Sequence, residues 1–126
     1  MTLKEFYKSL GSDYNTVVMR MGGSEKLLDK FVRKLPNDKS AEQLSEALEK
    51  GDCELAFRMA HTLKGLSANL GLDRLQNASS ELTEALRNQE NIPDNARELA
   101  KNVMDEYEKV ISALEQLDQS GFAPIT

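Results

Sequence analysis

The chain contains one histidine, His61, and the residues around it decide what that imidazole could do. Lys64 follows it by three positions and Gly65 by four, the separations at which side chains share one patch of a helix surface. A neutral imidazole near physiological pH is a competent nucleophile without an activating triad, whereas a serine would need one. Histidine is also a common metal ligand. Glu54 could share its outer face two turns away and Cys53 lies nearer the edge, but one histidine without a cluster of regularly spaced ligands argues poorly for a metal. The bland alternative is a histidine that packs into a core, and that requires it to lie on an apolar face.

Direction separates these cases. At roughly 100° per residue, Leu55, Met59, Leu63, Leu66 and Leu70 fall within an arc of about 80°, which is read as the core face of a helix from about Cys53 to Leu70. His61 lies almost opposite the centre of that stripe and is directed into solvent. Phe57, Lys64, Gly65 and Ala68 flank it, with Phe57 read as an outward aromatic. Arg58 lies on the flank of the same face, and Arg87 on the outward side of the following helix. Glycine inside a helix costs about 1 kcal/mol relative to alanine, so Gly65 asks for a reason, and room for close approach by another molecule is one.

The elements that position this patch are helical throughout. Apolar residues recur at three- and four-residue steps, and no segment shows the sustained alternation of a half-buried strand. Leu3, Phe6, Tyr7 and Leu10 form a short amphipathic opening that stops at Gly11. Tyr14, Val17, Val18 and Met21 form a second, closed by Gly22 and Gly23. Ser24 caps a helix with stripe Leu27, Leu28, Phe31, Val32 and Leu35, which Pro36 ends. Asp38 caps the next, with stripe Ala41, Leu44, Ala47 and Leu48, terminated by Gly51. Asp52 caps the central helix, which stops at Gly71. Asp73 starts another, with stripe Leu75, Ala78, Leu82 and Leu86. After a polar break at Asn88 to Asn91, Pro93 and Asp94 begin the last helix, with stripe Leu99, Val103, Tyr107, Val110, Leu114 and Leu117. Met19, Met21, Met59 and Met104 read as core filler. Short connections make successive helices antiparallel, so the expected fold is all-α: an up-and-down antiparallel four-helix bundle with short additional N-terminal helices. One domain spans residues 1–126, with residues 120–126 a frayed tail.

The bulk composition bounds the function. A chain of 126 residues is one domain's worth, too short to hold a nucleotide-binding domain beside a second module, and it has no glycine-rich phosphate loop. Its 40% apolar and 29% charged residues suit a soluble globular domain. A net charge of -5 and a pI of 4.9 leave no basic stripe for a nucleic-acid backbone. No apolar run approaches bilayer-spanning length, and a lone Cys53 does not suggest a disulfide-rich secreted domain, so a cytoplasmic location without membrane contact is expected; a bundle formed by one chain makes a monomer the expected state.

The run Ala60-His61-Thr62-Leu63-Lys64-Gly65-Leu66-Ser67-Ala68-Asn69-Leu70-Gly71 resembles the signature of histidine-containing phosphotransfer (HPt) domains. The motif's histidine, its lysine and both of its glycines have counterparts at His61, Lys64, Gly65 and Gly71. What the resemblance implies is a phosphorelay: His61 takes a phosphoryl group from the aspartyl phosphate of one receiver domain and passes it to the aspartate of another. Phosphoryl transfer depends mainly on positioning and on neutralising charge on the equatorial oxygens, so Lys64 is assigned to electrostatic stabilisation and Gly65 to steric access. Phe57, Arg58, Ala68 and Arg87 are the partner-facing candidates. The resemblance also implies that Mg²⁺ and the acidic pocket belong to the partner receiver, so this chain needs no cofactor or metal. The partners would be response-regulator receiver domains, a hybrid sensor histidine kinase, or both. The chain would be a phosphocarrier without ATP-dependent kinase activity of its own. The alternative is a helical interaction module that keeps the docking face and does not use the histidine.

Overall fold

The computed structural model describes residues 1–118. Over these the chain is all-helical, with seven α-helices and no strand among the described residues. They are α1 (Leu3–Ser9), α2 (Tyr14–Arg20), α3 (Glu25–Val32), α4 (Ser40–Lys50), α5 (Cys53–Asn69), α6 (Asp73–Leu86) and α7 (Ala96–Glu115). A 3₁₀ turn at Leu35–Asn37 follows α3. The expected frayed tail, residues 120–126, lies outside the described residues.

Side-chain capping opens three of the seven helices, α1, α3 and α5. Thr2 and Glu5 form a reciprocal capping box at the start of α1. The Ser24 hydroxyl accepts from the Leu27 amide at 3.1 Å and the Asp52 carboxylate from the Leu55 amide at 3.1 Å, opening α3 and α5 as expected. Asp38 accepts from the Ser40 amide at 2.8 Å, so it serves α4 from one position earlier than a conventional cap. The last helix departs further from expectation: it begins at Ala96 rather than at Pro93 and Asp94, with the Ala96 amide bonded to the Pro93 carbonyl at 3.1 Å.

The four longest helices pack in chain order, α4 on α5, α5 on α6 and α6 on α7, and α7 closes back on α4. The contact between α5 and α6 is the most extensive. The buried side of α5 includes the small side chains Ala56, Ala60 and Ser67, and that of α6 includes Ser79 and Thr83. Ser67 and Thr83 satisfy their hydroxyls within their own helices, on the carbonyls of Leu63 and Ser79, both at 2.6 Å. Cys53 is buried at the start of α5, its thiol facing the Leu86 carbonyl at the end of α6, and burial pushes the thiol above the ordinary cysteine range.

Helices α1 and α2 sit against the end of α5. Tyr7 is fully buried and its hydroxyl donates to the Leu70 carbonyl at 2.7 Å. At Gly71, which follows α5, φ is +68° and a β-carbon would come within 2.2 Å of a Val17 methyl, so glycine is required by both the turn and the packing of α2.

Three expectations about side-chain direction are corrected. The core face of α5 is Cys53, Ala56, Ala60, Leu63, Ser67 and Leu70, while Leu55, Met59 and Leu66 are half-buried at its edge. At about 100° per residue this rotates the buried stripe by roughly 70° from the leucine-defined one. In α3, Leu28 and Val32 are buried, but Leu27 and Phe31 are 44% and 41% exposed, because the helix rests on the bundle by one narrow edge. Met19 is not core filler: it is 74% exposed on α2, whose buried side carries Tyr14 and Val17.

Candidate functional site

Helix α5 carries His61 in its middle, two turns from either end, so the imidazole rides on continuous helical hydrogen bonding. The side chain is exposed, and the rotation of the core face leaves it so: it moves from the centre of the polar face to the edge nearer α6. The Ala60 side chain immediately before it is fully buried, which fixes the azimuth of the helix at this point.

That azimuth places Phe57 differently from the sequence reading. Phe57 is half-buried and packed against the core rather than pointing outward. Its ring lies parallel to the His61 imidazole, centroids 6.1 Å apart and planes inclined by 10°. Arg87, which follows the last turn of α6, lays its guanidinium 5.1 Å from the centroid of the same Phe57 ring. Phe57 thus connects a residue of α5 to one beyond α6 and limits the directions open to the imidazole.

Lys64 is half-exposed one turn after His61, and Gly65 is exposed. A β-carbon at Gly65 would meet no atom within 4 Å, so the position borders open space. Ala68 is half-buried and forms one wall of a surface cleft of about 580 Å³, which Arg20, Met21, Phe31, Lys34 and Leu66 also line. Arg58 is exposed on the side of α5 away from Phe57, and its carbonyl accepts the Thr62 hydroxyl at 2.9 Å. The structure therefore groups His61, Phe57, Lys64 and Arg87 at the α5–α6 edge, with Gly65 and Arg58 on the open face of α5 beside His61 and Ala68 at the margin of the patch.

One residue of this group escaped the sequence reading. Glu84 of α6 accepts from Arg87 through both carboxylate oxygens, from Nε at 2.9 Å and from a terminal nitrogen at 3.2 Å. The pairing holds the Glu84 carboxyl below the ordinary carboxylate range, chiefly through the Arg87 hydrogen bond and charge, with smaller contributions from Lys64 and His61. The same pair holds the Arg87 guanidinium above its ordinary value. The i, i+3 spacing of Glu84 and Arg87 was visible in the sequence; their alignment with His61 depends on how α6 is set against α5.

Among the described residues no group of three or more His, Cys, Asp and Glu side chains is placed to hold a metal ion, and no helix is long and apolar enough to cross a membrane. The arrangement offers one exposed ring nitrogen donor, two nearby cations and a cleared approach. Residues 26–120 match the family model described as Hpt domain. No curated protein and no solved structure gives a significant match.

Proposed function

Because the chain belongs to the Hpt domain family, whose members are phosphotransfer modules of phosphorelay signalling, we propose that His61 is the phosphorylated residue. It accepts the phosphoryl group of a receiver-domain aspartyl phosphate and passes it to the aspartate of another receiver domain. One observation carries this reading: His61 is exposed on α5 beside a position, Gly65, where the surface is open to an approaching loop. In the transfer the lone pair of the unprotonated ring nitrogen forms the N–P bond as the donor's acyl-phosphate P–O bond breaks. The bonding electrons stay with the donor's carboxylate, and the proton on the other ring nitrogen remains in place. Lys64 neutralises charge on the equatorial oxygens, and Arg87 is a second cation within the same patch. Phe57 restricts the imidazole by stacking, and Ala68, with the cleft beside it, and Arg58 border the surface on which the receiver docks.

The chain acts as a phosphocarrier rather than an ATP-dependent kinase, and Mg²⁺ enters with the receiver. We place it in the cytoplasm as a monomer, and take residues 1–126 as one domain. The helices α4 to α7 form an up-and-down antiparallel four-helix bundle, a reading supported by their contact order and by connections as short as Gly51–Asp52.

Incubation with a phosphorylated receiver domain and Mg²⁺ is expected to label the chain with an acid-labile, base-stable phosphoryl group, and His61→Gln to abolish the label. A label that persists in His61→Gln would refute the assignment.

A further inference from the structure

Resting on the phosphocarrier reading of His61, we propose that Glu84 is a positioning residue: it holds Arg87 in an ion pair while His61 is unphosphorylated and yields it to the phosphoryl group afterwards, so that Glu84 sets how firmly the chain retains that group.

The geometry is a connected row across the α5–α6 edge. The Glu84 carboxylate grips the Arg87 guanidinium at 2.9 and 3.2 Å. The guanidinium lies 5.1 Å from the Phe57 ring centroid, and the Phe57 ring runs parallel to the imidazole 6.1 Å away. Arg87 therefore sits one aromatic ring from the reacting group, in a pair whose side chains are 45% and 56% exposed. An ion pair so exposed is weakly held and open to competition. A phosphoryl group brings about two negative charges and three acceptor oxygens, a stronger bidentate partner for guanidinium than one carboxylate. The same charge repels Glu84, which already shares an electrostatic environment with His61 and Lys64. Both effects move Arg87 in one direction, and Glu84 opposes it by the strength of the pair it loses.

Consequently the carboxylate lowers the retention of phosphoryl on His61 and favours onward transfer, while Arg87 raises retention. The test uses the full chain labelled with phosphoramidate, a small phosphoryl donor that needs no cognate receiver, with phosphohistidine followed by ³¹P NMR. Glu84→Gln is expected to lengthen the phosphohistidine lifetime about three- to fivefold, the size of one exposed ion pair, and Arg87→Ala to shorten it by a similar factor. The double variant is expected to match Arg87→Ala alone, because Glu84 acts through the arginine. A Glu84→Gln lifetime equal to wild type, with His61 labelled normally, would overturn the proposal and leave the phosphocarrier reading standing. A Glu84→Gln effect that survives undiminished without Arg87 would overturn it too, showing direct repulsion instead. Failure of wild type to be labelled at His61 by phosphoramidate or by any receiver would sink both.

Discussion

At position 65 a β-carbon would meet no atom within 4 Å, so nothing inside the chain requires glycine there. The helix would gain from almost any other residue, since glycine is about 1 kcal/mol worse than alanine in a helix interior and glutamine only a few tenths worse. Stability and transfer should therefore respond to Gly65→Gln with opposite signs. The variant is expected to be more stable by about 0.5 kcal/mol in urea unfolding, and to receive phosphoryl from a receiver roughly tenfold to a hundredfold more slowly, because small misplacements of reacting groups are costly. Slow transfer with lost stability would point to a disturbed fold, and unchanged transfer would remove steric access as the reason for this glycine. The comparison is clean at this residue because α5 is set by its other face, on which Ala60 and Leu63 are buried.

Between α5 and α2 the constraint is reversed. Gly71 has φ +68° and a virtual β-carbon 2.2 Å from Val17, whereas Gly51, which ends α4, has φ +73° and an unobstructed β-carbon position. Both alanine substitutions incur the left-handed backbone cost of about 1–2 kcal/mol, and Gly71→Ala adds an overpacking cost of about 1–3 kcal/mol as α2 is pushed away. Denaturant unfolding is expected to show Gly71→Ala as the more destabilised by at least 1 kcal/mol; equal losses would mean that α2 accommodates the methyl freely. This contrast also marks what the sequence could reveal. Caps and terminators are local chemistry, so Ser24, Asp52, Gly51 and Gly71 were legible without a partner helix, as was the exposure of His61. The azimuth of α5 was not, because counting leucines gives no weight to Cys53, Ala56, Ala60 and Ser67, small side chains that are nonetheless buried. The same blindness turned Phe57 outward and hid Glu84, whose relation to His61 exists only once α6 is laid against α5. The exposure of Met19, Leu27 and Phe31 was equally invisible, since periodicity says that a helix has an apolar side and not how much of it a neighbour covers.

Two of the three tyrosines fasten helices to one another and the third is half-buried, and this gives the stability of the whole molecule a definite pH dependence. Tyr7 binds the end of α5 through Leu70, its ring edge-on to Phe6 at 5.1 Å. Tyr14, at the start of α2, donates to Glu25 of α3 at 2.5 Å. Burial holds the Tyr7, Tyr14 and Tyr107 hydroxyls above the ordinary tyrosine value, with the Glu25 hydrogen bond adding to the effect at Tyr14 and the charge of Asp38 at Tyr107. A group whose value is raised in the folded chain binds its proton more tightly there than in the unfolded chain. Its contribution to stability is complete below the unfolded value, near pH 10 for tyrosine, and is lost as pH rises beyond it. The melting temperature is therefore expected to fall steeply above about pH 10, and the phenolate absorbance of the native protein to rise with unfolding rather than ahead of it. In denaturant the three tyrosines should titrate together near their ordinary value. Tyr7→Phe separates the fastener from the titration: it is expected to lower stability at neutral pH by about 1 kcal/mol through the lost hydrogen bond, yet to flatten the alkaline decline because one protonation equilibrium is gone. A native chain whose tyrosines titrate near pH 10 while still folded would show that the hydroxyls reach solvent and that α1 and α2 are held by apolar contact alone.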